Sequence, residues 1–251
     1  MGETLDKIKI VVLAAGHGKR MASGEIPKVL VEFRGQSLIK HLLSSIKLSG
    51  VDGRPVIVVG QKAEQVKIAL GNDYDYVMQL EQKGTGHAVV TTRELLEGKV
   101  DNIMVLYGDQ PLVSADTIRK LAESHLTSGA ELTMGIVKID DFLDWRQNFY
   151  DFGRVIRDSA GKIVKIVEKK DATPEELKIT EVNPSYFCFK AKWLWNNLSK
   201  LQNNNSQQEY YLTDLVGLAV TEGRNINSVF IKPVEALGVN TQSQLELLDM
   251  V

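Results

Sequence analysis

The chain has 251 residues, 43% of them hydrophobic and 25% charged, and carries a formal net charge of −2. That length can bury a substantial core, and the near-neutral balance excludes a global pull toward nucleic acid or an anionic membrane, so any anion site must be local. Cys188 is the only cysteine, which excludes an intramolecular disulfide, and its setting among Tyr186, Phe187 and Phe189 predicts a buried strand position rather than a catalytic thiol.

The first ten residues lack a signal-peptide pattern, and no apolar run is long enough for a membrane helix, so a cytoplasmic location is expected. Residues 11–21, Val-Val-Leu-Ala-Ala-Gly-His-Gly-Lys-Arg-Met, run from an apolar stretch into two glycines and then two cations. They read as a buried parallel strand feeding an anion-binding loop, where Gly16 and Gly18 admit close backbone approach and Lys19, Arg20 and Lys28 supply charge. Two common phosphate motifs fail: a Walker loop needs Gly at position 13, which is Leu, and the dinucleotide fingerprint needs Gly at position 21, which is Met. A plain strand-to-helix turn with solvated cations is the competing reading of this segment.

Further on, Leu38, Ile39, Leu42, Leu43 and Ile46 have helical spacing within residues 36–48, and residues 55–59 read as the next strand. A helix over 63–70, a strand over 75–80 and a helix over 88–96 follow, the last entered through the glycine-rich residues 82–86. Residues 102–107 form another apolar strand ending in Gly108-Asp109-Gln110-Pro111, with a helix starting near Ser114. This alternation predicts right-handed crossovers and a mainly parallel sheet. Asp109 then sits outside a strand's carboxyl end, where open α/β sheets bind ligands, although an Asx-turn or helix-cap role suits the position equally.

After a strand over 131–139, the acid- and aromatic-rich residues 140–152 break the rhythm and read as an exposed loop or short helix near the site. Residues 153–157 and 163–168 read as a hairpin turning at 158–161. A strand over 182–189, helices over 191–201 and 211–222, a strand over 225–230 and a final helix over 241–250 complete the order. There are no internal repeats.

These segments also match a family pattern in order. Leu-Ala-Ala-Gly-His-Gly-Lys-Arg-Met from Leu13, Pro-Lys-Val-Leu from Pro27, residues 79–88, Tyr-Gly-Asp-Gln-Pro-Leu from Tyr107 and residues 152–158 come first. Residues 166–173, Glu-Val-Asn from Glu181, Glu-Tyr-Tyr-Leu-Thr-Asp from Glu209 and Gly-Val-Asn from Gly238 follow. The chain resembles the sugar nucleotidyltransferases, most closely the uridylyltransferase domain of the bifunctional enzyme that makes UDP-N-acetylglucosamine.

The resemblance implies a Rossmann-like α/β fold: a mixed, mainly parallel sheet flanked by helices, with a small antiparallel sugar-binding lobe at about residues 140–215. It implies one nucleotidyltransferase domain over residues 1–251 without a hexapeptide-repeat acetyltransferase domain. The activity implied is Mg²⁺-dependent transfer of a uridylyl group from UTP to N-acetylglucosamine 1-phosphate, giving a UDP-sugar and pyrophosphate. With the sugar phosphate as nucleophile, catalysis rests on aligning two anions and neutralising charge, and no covalent enzyme intermediate is expected.

Residue by residue, the resemblance implies that Arg20 and Lys28 are catalytic cations and that Asp109 and Asn240 hold Mg²⁺, a hard ion suited to oxygen ligands. Nucleotide contacts fall on Leu13, Ala14, Ala15, Gly16 and Gly18 in the loop, and on Gln79, Gln82, Gly84, Thr85 and Gly108 beyond it. Gln79 on alternation alone could face solvent, whereas in the motif its amide meets the edge of uracil. His87 is expected to open a helix rather than act as a base. Sugar contacts fall on Tyr107, Gly153, Glu168, Asn183, Tyr211 and Thr213.

Departures from the pattern are Lys19 in the loop, Phe152 before Gly-Arg, and Pro184-Ser185 after Asn183. They leave open the same chemistry on another sugar 1-phosphate, or a noncatalytic sugar-nucleotide sensor. Nucleic acid and membrane are not expected as partners, nor is the trimer that the acetyltransferase domain would build.

Overall fold

A computed structural model describes residues 5–16 and 26–250. β1 (Ile8–Ala14) opens the sheet, and β2 (Glu32–Phe33) and β3 (Gln36–Ser37) form a two-stranded ribbon before α1 (Leu38–Ser49). Residues 36–37 therefore belong to the ribbon and not to the helix: Arg34 and Gly35 both take positive φ, 46° and 79°, which closes a tight hairpin. β4 (Val56–Val59), α2 (Ala63–Leu70) and β5 (Asp75–Met78) follow, then α3 (Thr85–Val90), α4 (Arg93–Leu96) and β6 (Asn102–Tyr107).

The helix expected over 88–96 starts three residues early and breaks in two. Gly84, with φ 104°, supplies the entry turn. The Thr91 and Thr92 hydroxyls then donate back to the Ala88 and Val89 carbonyls at 2.6 and 2.8 Å, competing with the helical ladder where the break falls.

α5 (Ala115–Ser128) has Ser114 as its N-cap, the Oγ accepting from Thr117 N at 3.1 Å. β7 (Leu132–Lys138), the hairpin β8 (Gly153–Arg157) and β9 (Ile163–Val167), β10 (Glu181–Asn183) and β11 (Phe187–Lys190) come next. α6 (Ala191–Leu198), α7 (Asp214–Thr221), β12 (Ile226–Phe230) and α8 (Gln242–Met250) complete the order.

The sheet has ten strands in the order β5-β4-β1-β6-β11-β7-β10-β8-β9, with β12 paired to β7. β5, β4, β1 and β6 are mutually parallel, as are β7 and β12. β11 runs against both β6 and β7, which leaves those two pointing the same way. β8, β9 and β10 add the antiparallel extension.

Along β1, side chains alternate between two cores. Ile10 and Val12 pack with Leu38, Leu42 and Ile118, whereas Val11 and Leu13 pack with Val89, Leu194 and Leu215. Helices thus cover both faces, and Cys188 lies fully buried in β11 between them.

The strand expected over 182–189 is two strands. Val182 faces Val137 and Phe187 faces Met134, so the outer chain takes two more residues than β7 over the same span. The surplus is absorbed at residues 184–186, where Ser185 takes φ 65° and the Asn183 Oδ1 accepts from Ser185 N at 3.1 Å. β10 consequently pairs outward with β8, while β11 pairs with β6. This break joins the parallel sheet to its antiparallel extension and turns residues 183–185 toward the site.

Candidate active site

β1 and β6 are adjacent and parallel, with Leu13 opposite Tyr107, so Ala14-Ala15-Gly16 and Gly108-Asp109 leave the sheet side by side. A cavity of about 470 Å³ opens there, at the carboxyl ends of the strands. Gly108 lies outside its lining. Its N–H donates to the Leu13 carbonyl at 3.0 Å, and a Cβ would come within 3.1 Å of Val29 and 3.3 Å of Ile39, so it sets the approach of the two strand ends.

Three remote segments converge at one end of the cavity. Lys28 begins a 3-10 turn (Lys28–Leu30) after Pro27. The Lys28 Nζ donates to Asn240 Oδ1 at 2.8 Å and forms a hydrogen-bonded ion pair with Asp109. Val239 N donates to the Asp109 carbonyl at 3.0 Å, which returns Gly238-Val239-Asn240 to the strand end. Among the described residues there is no cluster of three His, Cys, Asp or Glu side chains fit for a metal. A carboxylate and an amide oxygen nevertheless close on one positive charge, the donor chemistry a hard cation takes. Gly18 and Arg20 lie outside the described residues.

A second end is built around Gly84. Its amide neighbourhood is laddered to the 209–212 segment: Tyr210 N donates to the Lys83 carbonyl and Gly86 N to the Tyr210 carbonyl, both at 2.8 Å. Leu212 N donates to Thr85 Oγ1 at 3.0 Å. This ladder holds residues 210–212 out of the helix expected over 211–222, which starts only at Asp214.

Gln79 is buried, not solvent-facing, with its Nε2 donating to the Gly84 carbonyl at 3.2 Å and lying 3.1 Å from His87 Nδ1. The Gln82 Nε2 donates to the Ala15 carbonyl, tying this wall to the loop after β1. Gln79, Gln82, Gly84 and Thr85 all line the cavity, and His87 lies inside α3.

The third wall is the antiparallel extension. Tyr107, Gly153, Glu168 and Asn183 line it. Burial pushes the Tyr107 phenol well above its ordinary pKa, opposed by hydrogen bonds with Thr85 and Ser185. Glu168 is likewise pushed up by burial, and the Thr213 hydroxyl, donating to its Oε1 at 2.9 Å, pulls it back. Thr213 stands behind Glu168 and outside the lining, and so does Tyr211, whose hydroxyl accepts from Gln207 Nε2 at 2.8 Å. The structure therefore places Thr213 and Tyr211 outside the lining, Thr213 as a support of Glu168.

Residues to which the sequence pattern assigned no role also face the cavity: Gln110, Asp151, Ser185 and Glu209. Gln110 donates to the Pro184 and Ala236 carbonyls at 3.0 and 3.4 Å, pinning the strand break to the loop before Asn240. The signal for Gln110 was its place next to Asp109; for Asp151 the only signal was the reading of residues 140–152 as a segment near the site, and the tertiary fold picks out which of its acids turns inward.

A cavity outside parallel strand ends, with a lysine clasped by two oxygens and a buried glutamine amide in its lining, is the arrangement of an α/β protein with a ligand site for anions. The MobA-like NTP transferase domain profile matches residues 10–145. The Bifunctional protein GlmU of Clostridium novyi is 41% identical over 236 residues, covering 94% of this chain and 50% of that protein. GlmU of Desulfotalea psychrophila is 37% identical over 244 residues, covering 96% and 69%. In fold, the chain resembles a Bacillus anthracis protein assigned as a glucose-1-phosphate thymidylyltransferase, with a TM-score of 0.76 over 97% of this chain and 94% of that one at 19% identity. The chain belongs to the MobA-like NTP transferase family and is a nucleotidyltransferase. It spans about half the length of the Clostridium relatives.

Proposed function

We propose that the chain transfers UMP from UTP to N-acetylglucosamine 1-phosphate, releasing pyrophosphate. The observation that carries this reading is the meeting of Lys28, Asp109 and Asn240 at one end of a cavity whose other wall holds Glu168 and Asn183. The sugar phosphate oxygen forms a bond to the α-phosphorus of the nucleotide as the bond to the β-phosphate oxygen breaks, so the protein supplies alignment and charge, and no nucleophile of its own. Lys28 and Arg20 take the phosphate charge, Asp109 and Asn240 would hold Mg²⁺, and that ion supplies further neutralisation at the phosphates. Gln79 and Gln82 address the base, and Glu168 and Asn183 the hexose. Among the described residues no helix is long and apolar enough to cross a membrane, and a cytoplasmic setting with nucleoside triphosphate at hand suits the reaction.

A second reading, the same chemistry on another sugar 1-phosphate, is favoured by one observation: the segment over Asp144–Asp151 brings Asp151 to the sugar wall. Incubating the chain with UTP, Mg²⁺ and a panel of sugar 1-phosphates while measuring pyrophosphate decides between them. Turnover confined to glucose 1-phosphate would sink the N-acetylglucosamine assignment, and tight UDP-sugar binding without any pyrophosphate release would replace catalysis with sensing.

A further inference from the structure

Arg154 is fully buried, and among the described residues no carboxylate pairs with it. A guanidinium out of water without a hydrogen-bonded anion is costly; Asp151 and Glu168 act on it only at a distance, and its Nε has no partner among the described residues, so the remaining donors matter. They go to main-chain carbonyls: Phe152, Tyr150 at 3.1 Å and Leu177 at 3.3 Å. Its planar face also lies over Phe142 and Tyr150, 4.8 and 5.2 Å from the ring centroids. Two of the three carbonyls belong to the residues on either side of Asp151. A buried cation is thus spent on fixing the backbone at one acidic residue.

The Asp151 side chain, half exposed, is paired as well. Its Oδ1 accepts from Lys169 Nζ at 2.6 Å, and that ammonium lies 4.7 Å from the Tyr150 ring centroid. Asp151 lines the cavity beside Gly153 and Glu168. A Cβ at Gly153 would sit 3.4 Å from Glu168 Oε1, so the glycine keeps the approach to that carboxylate open. Each carboxylate has one oxygen held by a protein donor, Lys169 for Asp151 and Thr213 for Glu168. The second oxygen of each has no donor among the described residues and is left to accept from a ligand.

We propose that Asp151 is a sugar-recognition residue, the partner of Glu168 in gripping hydroxyls of a neutral hexose 1-phosphate and in excluding an acidic one. The inference rests on the reading of this cavity as a sugar-phosphate site. Phosphate is drawn to the Lys28 end, and the other wall presents acceptor oxygens of Asp151 and Glu168 while Lys169 and Arg154 stand outside the lining, so it welcomes hydroxyl or amide donors and offers no donor of its own to a carboxylate on the sugar. Main chain held around Asp151 before ligand arrives lowers the cost of ordering that residue on binding, which is what selectivity among similar hexoses needs.

The test is steady-state pyrophosphate release by the wild type, Asp151→Ala and Asp151→Asn. The substrates are UTP with N-acetylglucosamine 1-phosphate, glucose 1-phosphate or glucuronic acid 1-phosphate. Asp151→Ala is expected to raise KM for the neutral sugar phosphates about tenfold while KM for UTP stays within about twofold, the loss of one hydrogen bond to a charged group. Asp151→Asn, which keeps an acceptor but drops the charge, is expected to shift kcat/KM toward glucuronic acid 1-phosphate by about tenfold or more relative to glucose 1-phosphate. Unchanged sugar KM and preference in an active enzyme, or an equal rise in KM for UTP and sugar, overturns the inference and leaves the reading of the site intact. A wild type that turns over no sugar 1-phosphate overturns the reading and the inference together.

Discussion

The Lys28 Nζ stands 2.8 Å from the Asn240 Oδ1 while also paired with Asp109, so one ammonium closes a gap between residues 212 positions apart in sequence. The same two oxygens are the donors proposed for Mg²⁺. If these oxygens do hold Mg²⁺, the ammonium and the ion would compete for them, and a bound phosphate would draw the lysine away.

Lys28→Met is expected to do two opposite things. Without nucleotide, Mn²⁺ binding followed by electron paramagnetic resonance should tighten, because the competing ammonium is gone. Turnover should fall by up to about a thousandfold, since a charge pair at ~4 Å with an effective dielectric near 20 is worth roughly 4 kcal/mol. Unaltered Mn²⁺ affinity would show that the ammonium and the ion do not share a site.

Thr213→Val removes the hydroxyl that donates to Glu168. That bond favours the ionised carboxylate, so without it the Glu168 pKa, already raised by burial, rises further. The acid limb of kcat/KM for the sugar phosphate should move to higher pH, with about a tenfold loss at neutral pH from a missing bond to a charged group. A pH profile superimposable on that of the wild type would count against Glu168 as a sugar ligand.

Gly84→Ala should destabilise the fold. The new Cβ would lie 2.7 Å from the Tyr210 carbonyl oxygen and 2.8 Å from its nitrogen, backbone atoms that cannot rotate away, at a residue with φ 104°. A loss of about 2 kcal/mol or more is expected from strain alone, read as a lower urea midpoint. UTP should also bind more weakly, because the ladder from residue 210 supports the wall proposed to meet the base.

His125 makes a separate prediction. Its Nε2 faces Asn102 Oδ1 at 3.2 Å, an acceptor whose own amide nitrogen donates to the Lys7 carbonyl, so the ring proton sits on Nε2 and Nδ1 accepts from Thr133 at 2.9 Å. Burial, with help from Lys190, pushes its pKa down to about 4. The unfolded chain takes up this proton near pH 6.5 and the folded one does not, so stability falls as pH drops from about 6.5 toward 4. The contribution is of order 3 kcal/mol. Urea titrations at several pH values should show a shallower decline for His125→Gln, and an identical slope would contradict the depressed pKa.

Much of the architecture was legible in the chain. Alternating apolar runs and glycine punctuation mark the parallel strands, a helix start is marked near Ser114, which proves to be its N-cap, and the turn at 158–161 marks the hairpin, because these depend on local pattern and backbone geometry. What local pattern misjudged were places where distant chain overrides it: Tyr210 laddering to Lys83 delays α7, and the change of partner from β8 to β6 splits residues 181–190 into two strands.

For the site the division is similar. The sequence by itself determined the inventory, a glycine-turned loop, Lys28, Asp109, two glutamines, Glu168 and Asn240, since residue type and order are written there. Tertiary structure decided how Asn240 returns to Asp109, through Lys28 and the Val239 amide, that Thr213 and Tyr211 stand outside the cavity lining, and that buried Arg154 holds the main chain on either side of Asp151. Those relationships arise where remote segments pack, and the free energy that fixes them comes from burial and hydrogen bonding between segments that share no local pattern.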